Sequence, residues 1–343
     1  MNKRLEQALT CEGSDRVPFL PAIYEHKAWF VGETPSRVCR DVGLFTTAVF
    51  AEYERVQPDA LTVGIDVYNV EAEAVGCRVT YYGGDDTSIP AIAPEDAVFQ
   101  GSEDVASLRM PDPRKDGRMP LNLEVARNVM KVLGREVPIR GAVSGPFSMA
   151  AHLVGPEHLF MLTVTHPHLV KDLIAFSAEV IKRYGRAFID LGCSMVIFDS
   201  QASPELLSPQ MYRDIVLAPT QSIVRYFQQC GVPHVPLIIG GNTTKILDSY
   251  LETGANNILC DAKADAGQFL EKCSKARRAF RRNLDSADFL QTTPEELHKH
   301  TLKSLEESQG YAGFILGTGV VPYGTPLAHL TAIRDATREY QRG

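Results

Sequence analysis

No Cys-x-x-Cys pair occurs anywhere in these 343 residues. The seven cysteines, Cys11, Cys39, Cys77, Cys193, Cys230, Cys260 and Cys273, are odd in number and widely spaced. That excludes a disulfide framework and a structural zinc knuckle, and it fits a reducing cytoplasm. Long apolar runs are missing too. No window approaches about 18 uninterrupted apolar residues, so no membrane span is expected. The chain opens Met1-Asn2-Lys3-Arg4-Leu5-Glu6-Gln7 and runs straight into a polar amphipathic stretch, so no secretory leader is expected. Basic charge is in short supply. Lys and Arg total 35 against 42 Asp and Glu, a formal net charge of −7, which disfavours nucleic acid as a partner. The one dense basic run, Lys275-Ala-Arg-Arg-Ala-Phe-Arg-Arg282, reads as a solvated helix end or strand flank. No internal repeat of about 20–50 residues appears.

What is present is an ordinary globular composition, 44% hydrophobic and 22% charged, with 26 Gly and 21 Pro. Disorder and collagen-like classes are excluded, and the length allows two domains or one large barrel. Short apolar runs alternate with helical patterns. Strands are expected at 17–22, 60–65, 78–82, 137–143, 194–198, 235–239, 257–260, 278–282 and 313–316. Helices are expected at 36–53, 121–133, 167–191, 208–229, 244–253, 264–274, 293–308 and 326–340, with Ser208-Pro209 and Thr293-Pro294 as start signals. Residues 83–120, rich in Gly, Pro and Asp, read as surface excursions. A serial strand-then-helix order predicts parallel strands with right-handed crossovers. About eight strands suit one TIM-type (β/α)8 barrel spanning 1–343, with an N-terminal helical extension. An open doubly wound sheet is the weaker reading, since no G-x-G-x-x-G follows a strand.

In a barrel, chemistry sits where the strands end. Nearly every expected strand ends in a polar or glycyl residue: Glu25 and His26, Asp66 to Glu73, Ser144 to His152, Asp199 to Gln201, Gly240 to Asn242, Asp261, Asn283 to Asp285, and Gly317-Thr318. Each alone reads as a cap or turn former. Asp66, Glu71 and Glu73 are either helix-start acids favoured by the macrodipole, or a general acid, base or metal ligand in the mouth. His26 and His152 are either loop hydrogen bonders or members of the same site, and no H-E-x-x-H spacing supports a metal.

Taken in order, these segments resemble the uroporphyrinogen decarboxylase superfamily. The carriers are Asp66…Glu71-Ala-Glu73-Ala-Val-Gly76-Cys77, Gly145-Pro146, Phe198-Asp199-Ser200, Leu207-Ser208-Pro209, Gly241-Asn242-Thr243, Asn283-Leu284-Asp285, Thr293-Pro294-Glu295-Glu296 and Phe314-Ile-Leu-Gly-Thr-Gly319. True decarboxylases of the family carry an Arg-rich loop after the first strand. Here that loop, Ile23 to Val31, holds Lys27 and no Arg. The Asp66 to Cys77 pattern is similar instead to the corrinoid-dependent methyltransferases. Coenzyme-M-type members of that branch bind zinc through H-x-C-G and a later Cys. The matching positions here are Ile238, Gly240 and Gly319 or Val320, so no ligand stands at that site.

The resemblance then implies a first methyltransferase component of an O-demethylase system. It would move a methyl group from a small methylated substrate, an aryl methyl ether, to Co(I) of a corrinoid carried by a partner protein. Asp66, Glu71, His26 and His152 are the groups it offers as acid, or as ligands of zinc or another metal held differently. Glu25, Trp29, Tyr68, Asn69, Phe147, Asp199, Ser200, Gln201, Asn242 and Thr318 would bind substrate. Trp29, Phe30, Tyr68 and Phe147 are candidates for an apolar wall. The chain is expected to work as a monomer or homodimer. The alternatives are a decarboxylase and a non-catalytic member of the family.

Overall fold

In the computed structural model, residues 3–99 and 105–340 are described. Eight strands are all parallel: β1 Phe19–Ala22, β2 Leu61–Val63, β3 Ile139–Ser144, β4 Ser194–Phe198, β5 Pro236–Ile238, β6 Asn257–Cys260, β7 Ala279–Leu284 and β8 Phe314–Val320. Each pairs with its chain neighbour from β2 to β8, and β1 returns to pair with β8. This is the TIM-type barrel that the alternation predicts.

β1 and β2 stand at the two ends of that order, and Asp59 bridges them. The Asp59 amide donates to the Phe19 carbonyl (2.9 Å), and the Phe19 amide donates to Asp59 Oδ2 (2.8 Å). Arg4 (2.7 Å) and Arg16 (2.8 Å) pair with the same carboxylate. One acid and two cations therefore hold the seam where ladder hydrogen bonds are missing.

Helix boundaries follow local chemistry. Ser208 accepts from the Met211 amide, and Thr293 with Glu296 forms a full capping box at Pro294–Glu306. The helix expected over 36–53 is broken in two. Asp41 turns extended and caps a second helix, Val42–Val56, by accepting from the Leu44 amide. The helix after Ser208 includes a widened π turn at Tyr212–Val216 before Leu217–Gln229. One expected strand, 78–82, is absent from the sheet. It makes a single antiparallel bridge, Thr80 to Ala91, because its partner lies in its own excursion and not in the barrel. None of the described helices is long and apolar enough to cross a membrane.

Side chains alternate along the strands, so the barrel interior fills in layers. The lower layer joins Leu20, Ala60, Ala279 and Ile315 to Leu5 and Ala8 of the helix Lys3–Leu9, which closes the barrel floor. A cavity of about 210 Å³ remains there, beside the His234–Glu6 contact. The upper layer joins Ala22, Tyr24, Val67, Ala142, Val196, Phe198, Ile238 and Leu259. Two inward positions between these layers are arginines, Arg140 on β3 and Arg281 on β7, both buried. Arg281 belongs to the run expected to be solvated. The two-residue period of β7 turns it inward, flanked by Ala279 below and Asn283 above.

Candidate functional site

The strand C-termini open on a cavity of about 330 Å³. Its wall takes Tyr24 from the loop after β1, Tyr68 after β2, and Phe198 and Ser200 around the end of β4. Ile238 and Gly240 come from β5 and its loop, Asp261 from the loop after β6, and Arg281 with Asn283 from β7. Val320 ends β8 at the rim. Glu205, Lys263 and Asp285 are exposed at the mouth.

The aromatic side is tightly held. Tyr24 meets Phe198 edge-on at 5.4 Å, and Tyr68 meets Phe198 at 6.2 Å. The Tyr68 and Ser200 hydroxyls are 2.6 Å apart. Burial pushes the Tyr68 phenol well above its ordinary range, so at neutral pH it is a proton-bearing donor and no base. The polar side is built on Asp261. Its carboxylate accepts from the Gly241 amide (2.9 Å), the Ala262 amide (3.0 Å) and Asn283 Nδ2 (3.2 Å), which shapes the loops after β5 and β6. Gly240 faces the cavity, where an added Cβ would make ordinary contacts with Ser200 Oγ (3.6 Å) and Asp261 Oδ2 (3.8 Å).

The four groups read from the sequence as acid, base or ligand are not on this wall. Asp66 lies outside the cavity, in a buried fork with Arg118 at 2.9 and 2.7 Å, while Arg118 Nε pairs with Glu73 at 2.7 Å. Tyr81 closes the network by donating to Glu73 (2.7 Å). Glu71 is fully buried and accepts from the Ser144 amide (2.7 Å) and hydroxyl (3.1 Å). Burial pushes its carboxyl up to about 7. His26 is buried edge-on to Phe30 (4.7 Å), and His152 packs near Tyr68, ring centres 6.3 Å apart. Burial pushes both imidazoles down to about 4, so both are neutral at pH 7.

Of the residues expected to bind substrate, Tyr68 and Ser200 line the cavity. Asp199 sits behind it and is buried. It accepts from the Ser148 amide (2.7 Å) at the start of the helix Pro146–Val154, and burial pushes it up to about 6. Gln201 donates its amide to Ser148 Oγ (3.1 Å). Thr318 accepts from the Ala22 amide (2.9 Å) and joins β8 to β1. Asn242 is exposed and caps the turn that follows it. Asn69 binds Asp66 and the Pro90 carbonyl. Phe147 is buried against Phe160 (5.7 Å). Glu25 is buried ahead of the short helix His26–Phe30, and burial pushes its carboxyl up. Trp29 is 46% exposed and rests on Tyr323 (5.6 Å) outside the cavity. Four cavity-lining residues stand outside the sequence-derived site set: Tyr24, Asp261, Arg281 and Asn283. Asp261 and Asn283 stood among the strand ends, so the signal was present. Arg281 was masked by its neighbours in a basic run.

The zinc positions implied by the resemblance do converge. Ile238, Gly240 and Val320 all line the cavity, yet they offer two hydrocarbon side chains and none. That donor set does not fit zinc. Among the described residues no group of three His, Cys, Asp or Glu comes together to hold a metal.

A family model described as uroporphyrinogen decarboxylase (URO-D) matches residues 1–340. A methylcobamide:CoM methyltransferase, MtbA of Methanosarcina acetivorans, is 28% identical over 99% of this chain and 98% of its own length. A uroporphyrinogen decarboxylase of Neisseria meningitidis is 25% identical over 89% of this chain and 85% of its own. A solved methyltransferase from Methanosarcina mazei superposes with a TM-score of 0.87, covering 98% of both chains at 23% identity.

Proposed function

The chain belongs to the uroporphyrinogen decarboxylase family, and within it we propose a corrinoid-dependent methyltransferase that demethylates a small substrate, an aryl methyl ether, onto Co(I) of a corrinoid carried by a partner protein. Its relatives of nearly equal length include methylcobamide:CoM methyltransferases, which supports methyl transfer with a cobamide. The observation that carries the direction is the donor set at Ile238, Gly240 and Val320. A thiol acceptor held on zinc needs ligands that these positions lack, so this cavity is read as serving a methyl donor with an oxygen leaving group.

The chain's own residues supply three things. Tyr24, Phe198, Ile238 and Leu259 give a ring an apolar surface. The Tyr68–Ser200 pair presents an O–H donor to the ether oxygen. As the methyl–oxygen bond breaks, the electron pair stays on that oxygen, and the hydrogen bond strengthens with the charge. The rim leaves apolar groups exposed at the end of β8, Val320, and on the segments after three other strands, Trp29, Leu206 and Leu290. Such a face fits the flat, largely hydrocarbon ring of a corrinoid delivered by its carrier, which supplies the cobalt nucleophile when bound.

The test is methyl transfer to free Co(I) cobalamin, followed by the loss of its Co(I) absorbance. Methoxyaromatics are expected to be demethylated and the phenol to appear in equal amount. Release of carbon dioxide from uroporphyrinogen, or no methylation of Co(I) from any methoxyaromatic, would overturn the reading.

A further inference from the structure

We propose that the methyl donor carries a carboxylate, and that Arg281 binds it at the floor of the cavity. The inference deepens the function proposed above and rests on it for the word donor; the anion site stands on its own observations.

Arg281 is 3% exposed and lines the cavity. Its side chain passes over Gly317, where an added Cβ would lie 2.6 Å from Arg281 Cδ and 2.7 Å from Asn283 Oδ1. Only a glycine leaves that room. The guanidinium has no carboxylate partner among the described residues, and its Nε is buried with no hydrogen bond. The buried Arg118 shows the contrast. It is forked onto Asp66 and bound to Glu73 as well.

The other charges around Arg281 do not neutralise it. Arg140 also points into the barrel interior and the two repel: burial first, then Arg281, push Arg140 down to about 10. Arg140 Nε is likewise buried and unbonded. Glu52, which also acts on Arg140, is taken by Lys27 at 3.2 Å. Asp261, Glu205 and Asp285 also line the cavity, and none of them forms an ion pair with Arg281; the Asp261 oxygens accept from two amides and Asn283 instead. Tyr24, whose hydroxyl accepts a hydrogen bond from the Arg281 guanidinium, stays protonated and neutral because burial pushes its phenol up more than the arginines lower it. Two adjacent cations in a closed barrel, with one of them facing a cavity, make a site for an anion. A planar carboxylate matches the guanidinium fork with two parallel hydrogen bonds. With that group on the floor, the rest of the ligand extends along the Tyr24–Phe198 wall toward Tyr68, Ser200 and the mouth. A cavity of about 330 Å³ takes one ring with small substituents. A methoxybenzoate-type acid has this chemistry.

The experiment is calorimetric titration of the full-length chain with 3-methoxybenzoate and with its neutral isostere 3-methoxybenzamide. The acid is expected to bind about 30-fold more tightly, as one charge-assisted pair implies. Arg281→Met should remove that preference, and Arg281→Lys should keep part of it, with circular dichroism reporting the fold. Equal binding of acid and amide to the natural chain, or binding of neither, overturns the proposal without recourse to any variant. So does a folded Arg281→Met that keeps the preference. If the acid binds through Arg281 but never methylates Co(I) cobalamin, the anion site stands and the methyltransferase reading fails. If methoxybenzene methylates Co(I) and 3-methoxybenzoate does not compete, the reverse holds.

Discussion

Asp66→Asn distinguishes a fold-holding acid from a chemical one. In the folded chain Arg118 is 7% exposed and spends its donors on Asp66 (2.9 and 2.7 Å) and Glu73 (2.7 Å). Asparagine keeps one acceptor and turns the other into an N–H facing the guanidinium. Removing one partner of a buried pair costs about 3–5 kcal/mol. Glu73, whose side chain is 19% exposed, remains to hold the cation. The expected loss is therefore smaller, about 2–3 kcal/mol. Arg118→Met removes the cation and leaves two acids. The double variant should be less destabilised than the sum of the singles, with a coupling of about 2 kcal/mol. Urea unfolding of the four proteins at pH 7, followed by circular dichroism, measures this from the midpoints at constant slope. Stability of Asp66→Asn within about 0.5 kcal/mol of the natural chain, together with additive singles, would refute the argument. If that stable variant had also lost methyl transfer, Asp66 would return to the chemistry.

Three further outcomes follow from the same geometry. Tyr68→Phe should lower the rate of methyl transfer by about 100-fold, the usual effect of removing a donor to a developing oxyanion, with substrate affinity little changed; a rate within twofold of the natural chain would exclude Tyr68 as that donor. Glu71, pushed up to about 7 by burial, takes up a proton in the folded state that the unfolded chain releases. Stability should therefore fall as pH rises from about 4.5 to 7, by at most about 3 kcal/mol, and Glu71→Gln should flatten that slope; an unchanged slope in the variant would locate the titration elsewhere. Asp59→Ala leaves Arg4 and Arg16 without their shared carboxylate and the Phe19 amide without its acceptor. A loss of about 3 kcal/mol is expected, and hydrogen exchange should quicken first at β1; uniform exchange along all eight strands would argue against a seam.

The barrel was legible because each of its elements is short-range. Thr293 and Ser208 cap helices with atoms three residues away, and a strand run of four to six apolar residues needs no distant partner to be seen. The site was legible only in part. Asp261 and Asn283 were visible as strand ends, but nothing local marks them apart from any cap. Residues 78–82 have the composition of a strand, and only the choice of partner kept them out of the sheet.

Two facts belong to the sequence alone. A chain of serial strands and helices makes a parallel sheet with right-handed crossovers, because a right-twisted strand feeding a helix packs back onto its sheet only that way. And no imidazole or thiol stands at 238, 240 or 320, since side-chain identity decides what can bind zinc whatever the fold does. The tertiary structure decided which charges are spent and which are free. Asp66 lies 52 residues from Arg118 in the chain, and only folding brings them together and removes that acid from the cavity. Arg281, one cation of five in a short basic run, became the one that faces the cavity because β7 pairs in a register that turns it inward past Gly317. Coulomb energy depends on distance and burial in space, and neither is written in the spacing of residues along a chain.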